Sequence, residues 1–227
     1  MRLIAGATFH QQRREHTLLS DIRLEECTFD NCSIRGGRLH RLELIDCRAW
    51  SCSLNDVVIE DCLVNDLRTV AAGGGGRRSP FFLWGVRTRH VVLTGRIGSL
   101  IWNQPKHWAR PPTDEQLDAY RRYYDTVDWA LDVSRAKFTS VPTLRSGPPG
   151  HLISRDQHTQ PLVARDRVLA ADWDGLKGRV GIWGGVIQRM LESPWPDEIV
   201  LVPASADRTY AEELAGIEIL RATGVAE

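Results

Sequence analysis

The sequence has little that would steer it toward a charged partner or a membrane. Its 227 residues carry 29 basic and 29 acidic side chains, so no global field draws it to nucleic acid or to an anionic bilayer. No apolar run reaches membrane-spanning length, and the N-terminal stretch MRLIAGATFHQQRREH is too short in apolar residues for a signal peptide. Catalytic signatures are missing as well. There is no Gly-x-Ser-x-Gly, no His-Glu-x-x-His and no Cys-x-x-Cys. Five cysteines, an odd number, leave at least one thiol outside any set of disulfides. These absences predict a protein of a reducing, cytoplasmic compartment with no metal and no cofactor.

What is present is a period of five. From Ile22, the first residue of each block of five is Ile22, Cys27, Cys32, Gly37, Leu42, Cys47, Cys52, Val57 and Cys62. The third is Leu24, Phe29, Ile34, Leu39, Leu44, Ala49, Leu54, Ile59 and Val64. Both columns are apolar or small throughout. All five cysteines fall in one column, which chance gives about once in six hundred trials. Five matches neither the 3.6 of a helix nor the 2 of a strand. It suits a chain that runs a short straight piece, turns two side chains inward and then rounds a corner. Four pieces close a coil of twenty residues, and coils stack about 4.8 Å apart. Cysteine at these slots reads as a small packing hydrophobe rather than a disulfide or zinc ligand.

The pattern resembles the pentapeptide-repeat family over residues 17–69, resuming over 129–143. The resemblance implies a mainly β fold: a short right-handed quadrilateral β-helix, with the third residue of each block filling the axis and the first packing beside it. Onto this the sequence adds an inserted helix and an α+β C-terminal section. The expected organisation is 1–145 for the β-helix, with residues 1–21 as a cap, a glycine-rich loop at 70–80 and the helix at 113–127, and 146–227 for the C-terminal section. Thr113 and Gln116 form a capping box, and Leu117, Tyr120, Tyr124 and Val127 a helical stripe. In the C-terminal section, 151–156 and 160–164 are expected to pair as a hairpin. Helices are expected at 165–176, 182–192 and 210–223, the last capped by Asp207, with a strand at 199–202.

Two functions follow from different classes. The first is a non-catalytic binding or interaction protein. Outward Glu26, Asp46 and Asp66 should form an acidic ladder, and outward Ile45, Trp50, Val58 and Leu63 imply a covered face. Some pentapeptide-repeat proteins mimic DNA and engage DNA gyrase; the neutral charge and the interrupting Arg23, Arg35, Arg38, Arg41 and Arg48 disfavour that here, and nucleic acid as a partner with it. The second is a cofactor-independent acid–base enzyme acting on a small aromatic or polycyclic metabolite in a tryptophan-lined pocket. Its catalytic groups would be Asp132, Asp128 and His151, with a carboxyl beside Trp129 raised in pKa as general acid and His151 as base. Trp84, Trp102, Trp129, Tyr124 and Arg155 would bind the ligand. The partner is thus an unidentified protein or a small aromatic molecule.

Overall fold

The computed structural model describes residues 1–70, 79–103, 113–142, 144, 147–195 and 197–227. It is a mainly β, parallel β-solenoid of about seven turns with a few helices. One side shows all the layers: Arg2–Ala5 lies on 22–25, then 42–45, 63–65, 91–94, 131–132 and Ile153–Ser154, every pair parallel. From Arg2 to Cys62 the register is twenty residues per coil, with Arg2 opposite Ile22 and Ile22 opposite Leu42, and longer excursions separate the later coils. Coils therefore begin at Arg2, Ile22, Leu42, Cys62, Val91, Leu131 and Ile153.

The corners explain the period. Every fifth residue from Gly6 to Asp66 has positive φ, a conformation that glycine adopts freely and that Asn and Asp tolerate best among the others. Aspartate fills five of these corners, at 21, 46, 56, 61 and 66. Positive φ returns at Gly85, His90 and Gly95, which stack on Asp56, Asp61 and Asp66. Those spacings are 29 residues instead of 20, so nine extra residues lie between Thr69 and Ser79. The glycine-rich run expected to form a loop falls mostly at 71–78, outside the described residues.

The expected cap at 1–21 is instead a full coil. Arg2–Ala5, Thr8–His10 and 13–20 pair with the coil above in perfect register. Its inward columns include Arg2, Gln12 and Arg14, which conceals it from a hydrophobic pattern search. Residues 81–103 continue the coil as well, through Phe81–Trp84, Arg87–Arg89, Val91–Ile97 and Leu100–Asn103.

The chain then leaves the solenoid. Helix α1 (Asp114–Tyr124) opens on the expected capping box and ends one turn before Val127. It packs where the fifth coil would have placed its fourth side: the Thr88 amide, at the end of that ladder, donates to the Tyr124 hydroxyl at 3.3 Å. Leu131–Phe138 then rejoins the solenoid on Val91–Ile97.

Beyond it the expected hairpin does not form. Ile153–Ser154 extends the solenoid, whose edge offers a parallel ladder, and Leu162–Ala164 pairs antiparallel with Glu198–Val200. The helix expected at 165–176 divides into α2 (Arg165–Ala170) and α3 (Trp173–Leu176), because Asp172 leaves helical geometry to cap the second. With α4 (Ile182–Leu191) and α5 (Tyr210–Ala222) these surround a core of Val168, Trp183, Ile187, Ile199, Leu201 and Ile217. Thr209, not Asp207, precedes α5; the Asp207 carboxylate accepts from the Thr209 amide and hydroxyl. Leu162, Val200 and Val202 join the solenoid core, and the Ala206 amide donates to Phe138 O at 3.0 Å.

Inside the coils the two columns differ. The first-column residues Cys27, Leu42, Cys47, Cys52, Val57 and Cys62 are buried. The third-column residues Leu24, Phe29, Ile34, Leu44, Leu54, Ile59 and Val64 face the axis yet are only partly buried. They do not fill it, as the resemblance implied. Cavities of about 90 Å³ and 140 Å³ lie along the axis, sharing Leu39, Leu42, Leu44, Leu54, Leu67 and Phe81 as walls.

Candidate functional site

Helix α1 presents Leu117, Tyr120 and Tyr124 to the solenoid because they are three and four residues apart on one face. Around them gathers an aromatic cluster. Tyr124 stacks on Trp195 at 6.4 Å and 16°, meets Tyr123 edge-on at 5.1 Å, and Tyr120 meets Trp195 edge-on at 6.4 Å. The Arg87 guanidinium lies 5.3 Å from the Tyr123 ring centre. Burial, with the Glu60 charge adding to it, pushes the Tyr123 phenol up to about 12. Burial also raises Tyr120 and Tyr124 well above the ordinary range. These phenols stay protonated at neutral pH, which rules them out as bases or nucleophiles. The hydroxyls of Tyr120 and Tyr123 are buried without a hydrogen-bond partner.

A second constellation runs up one corner. Arg41 grips Asp21 through two bonds of 2.6 and 2.7 Å and reaches His40 at 3.3 Å. Asp61 lies 3.1 Å from His40 Nε2 and 2.9 Å from His90 Nδ1, and His90 Nε2 lies 2.6 Å from Asp128. Asp21, Arg41, Asp61 and His90 are stacked corners, so their signs alternate from coil to coil. The hydrogen bond from Arg41 holds the Asp21 carboxyl down at about 2. For His90, burial disfavours the charged ring, but the hydrogen bonds to Asp128 and Asp61 outweigh it and the pKa rises.

The residues expected to be catalytic are held by separate partners. Asp128 is exposed on His90, whose hydrogen bond lowers its pKa, the reverse of the raised value expected for a carboxyl near tryptophan. Trp129 packs at a tilt against the His90 ring, with centroids 4.7 Å apart. Asp132 accepts from the Ser134 amide at 2.9 Å and hydroxyl at 2.7 Å. His151 pairs with Glu198 at 2.9 Å. Among the ligand-binding candidates, Trp102 is buried with its indole N–H on Val86 O at 3.1 Å, and Trp84 stacks with Phe82. Tyr124 belongs to the aromatic cluster, while Arg155 bonds Glu227.

Glu26, Asp46 and Asp66 do occupy equivalent corners, and two of the three carboxylates are engaged by hydrogen-bond donors. Arg68 bonds Asp46 at 3.0 Å, and the Arg96 amide donates to Asp66 at 2.7 Å. A surface groove of about 710 Å³ runs beside these side chains. Tyr120, Arg87 and His90 were missed as site residues. Tyr120 reads as an ordinary member of a helical stripe, and His90 becomes visible only when corners are stacked across the nine-residue insertion.

The chain matches no protein-family model, no curated protein and no solved structure. Among the described residues, no group of three or more His, Cys, Asp or Glu side chains is arranged to hold a metal ion. No helix among them is long and apolar enough to cross a membrane.

Proposed function

We propose that this chain is a non-catalytic interaction protein built on a pentapeptide-repeat type of β-helix, working in a reducing, cytoplasmic setting. The observation that carries the reading is the arrangement of the outward side chains. Charged groups are ordered along stacked corners, while outward Ile45, Trp50, Val58 and Leu63 remain only half-buried between them. An ordered charge pattern beside partly exposed apolar groups suits recognition of a protein, where complementary charge sets register and apolar side chains supply affinity. Gyrase-directed DNA mimicry is a poor fit, since the corner carrying Asp21, Arg41, Asp61 and His90 alternates in sign instead of presenting continuous acid.

Quantitative affinity capture of the intact protein tests this, comparing wild type, Asp132→Ala and the pair Arg41→Asp with Asp61→Lys. A partner held by wild type and Asp132→Ala but lost from the corner variant is the expected result. A turnover abolished by Asp132→Ala, with no partner sensitive to the corner, would favour the enzyme. That second reading draws on the buried, unpartnered hydroxyls of Tyr120 and Tyr123, which could donate to a small aromatic substrate.

A further inference from the structure

We propose that the axis of the solenoid is a binding site for a slender, wholly apolar molecule, the chemistry of a short straight-chain hydrocarbon. Three independent features point there. The first is the burial contrast: most first-column side chains are packed, whereas two residues further along each side most of the axis-facing leucines and isoleucines retain open surface. The second is shape. The two cavities share six wall residues, and their linings extend from Leu19 in the first coil to Leu131 in the sixth. Five coil spacings amount to roughly 24 Å, so the space is long and narrow.

The third feature is chemical. Among the described residues no charged side chain lines either cavity, so an ionised carboxylate or ammonium end would lie in apolar surroundings without a counter-charge. Thr88 stacks on Ile59 in the axis-facing column and lines the upper cavity. Its hydroxyl is buried away from that space, beside the Tyr124 phenol, so Thr88 offers a guest only its methyl group. A trapped water needs two to four polar partners, whereas an apolar guest needs none. Dry apolar cavities of about this size do take up apolar guests.

The site does not depend on the outer faces, so it stands or falls apart from the interaction reading. Its test uses the intact protein with n-pentane and n-hexane as probes and cyclohexane as the bulkier control. Melting temperature and methyl NMR shifts are followed during titration. The straight-chain alkanes should raise the melting temperature saturably and shift the methyls of Leu44, Leu54 and Val64, while cyclohexane should not. Leu44→Phe and Leu54→Phe fill the axis; each should fold with undiminished thermal stability and lose the response. No saturable shift, an equal response to cyclohexane, or a response surviving in the filled variants would overturn the site. So would unfolding of both phenylalanine variants, which would mean that the axis has no room.

Discussion

At the scale of single residues, the cysteine column is set by the space between coils. Cys27, Cys47, Cys52 and Cys62 are buried, and their thiols reach carbonyls of the coil beneath at 3.4–3.7 Å. Burial raises Cys47 and pushes Cys52 and Cys62 up to about 11, which leaves almost no thiolate at neutral pH. Native protein at pH 7 should therefore resist iodoacetamide at these three positions for hours and lose that protection in denaturant, as mass spectrometry would show. Gly37 marks the tightest slot of the same column. Its φ is +98°, and a Cβ there would lie 2.1 Å from Thr17 O. Gly37→Ala should cost about 2–4 kcal/mol in chemical denaturation. Local spacing made this column legible in the sequence. The reason for glycine at 37 was not, because it depends on backbone twenty residues earlier.

At the scale of elements, His90 ties the returning strand to the solenoid. It bridges Asp61, a corner of the third coil, and Asp128, which lies between α1 and Leu131–Phe138. The other groups facing this bridge are the Trp129 ring, His40 and, through His40, Arg41. His90 has a folded pKa above its ordinary 6.5, so its contribution is complete below 6.5 and fades as pH rises through the folded value. Asp61 and Asp128 sit below their ordinary 3.8 and contribute above it, fading as pH falls through their folded values. The bridge is strongest between these limits. Wild type should melt at a lower temperature at pH 8 than at pH 6, and His90→Gln should flatten that difference; an unchanged slope in the variant would refute the bridge. Sequence reading found α1 and the return to five-residue columns after it, because capping and periodicity are local signals. It gathered Asp128, Asp132 and His151 into one site because nothing local reports which partner a surface carboxylate meets. It likewise predicted a hairpin where the solenoid edge competed successfully for Ile153–Ser154.

At the scale of the whole molecule, the coils form a graded stack. The inward Ile4, Phe9 and Leu19 of the first coil are only partly buried, whereas the inward Leu131, Val133 and Phe138 of the sixth are completely buried and held by the C-terminal section. In a solenoid each coil leans only on its neighbours, so stability should rise along the stack. Hydrogen exchange should be fastest in Arg2–Ala5 and Thr8–His10 and slowest in Val91–Ile97 and Leu131–Phe138. Uniform exchange across the coils would indicate a single cooperative unit.

The incompletely filled axis also has a mechanical consequence. Unfolding abolishes interior voids, so a chain that keeps them loses more volume on unfolding than a tightly packed one, and compression favours the smaller state. This protein should accordingly yield to hydrostatic pressure more readily than its thermal stability suggests. Leu54→Phe, by occupying the axis, should raise the pressure needed for half-unfolding even where heat barely distinguishes it from wild type. Squeezing the molecule thus measures how empty its centre is.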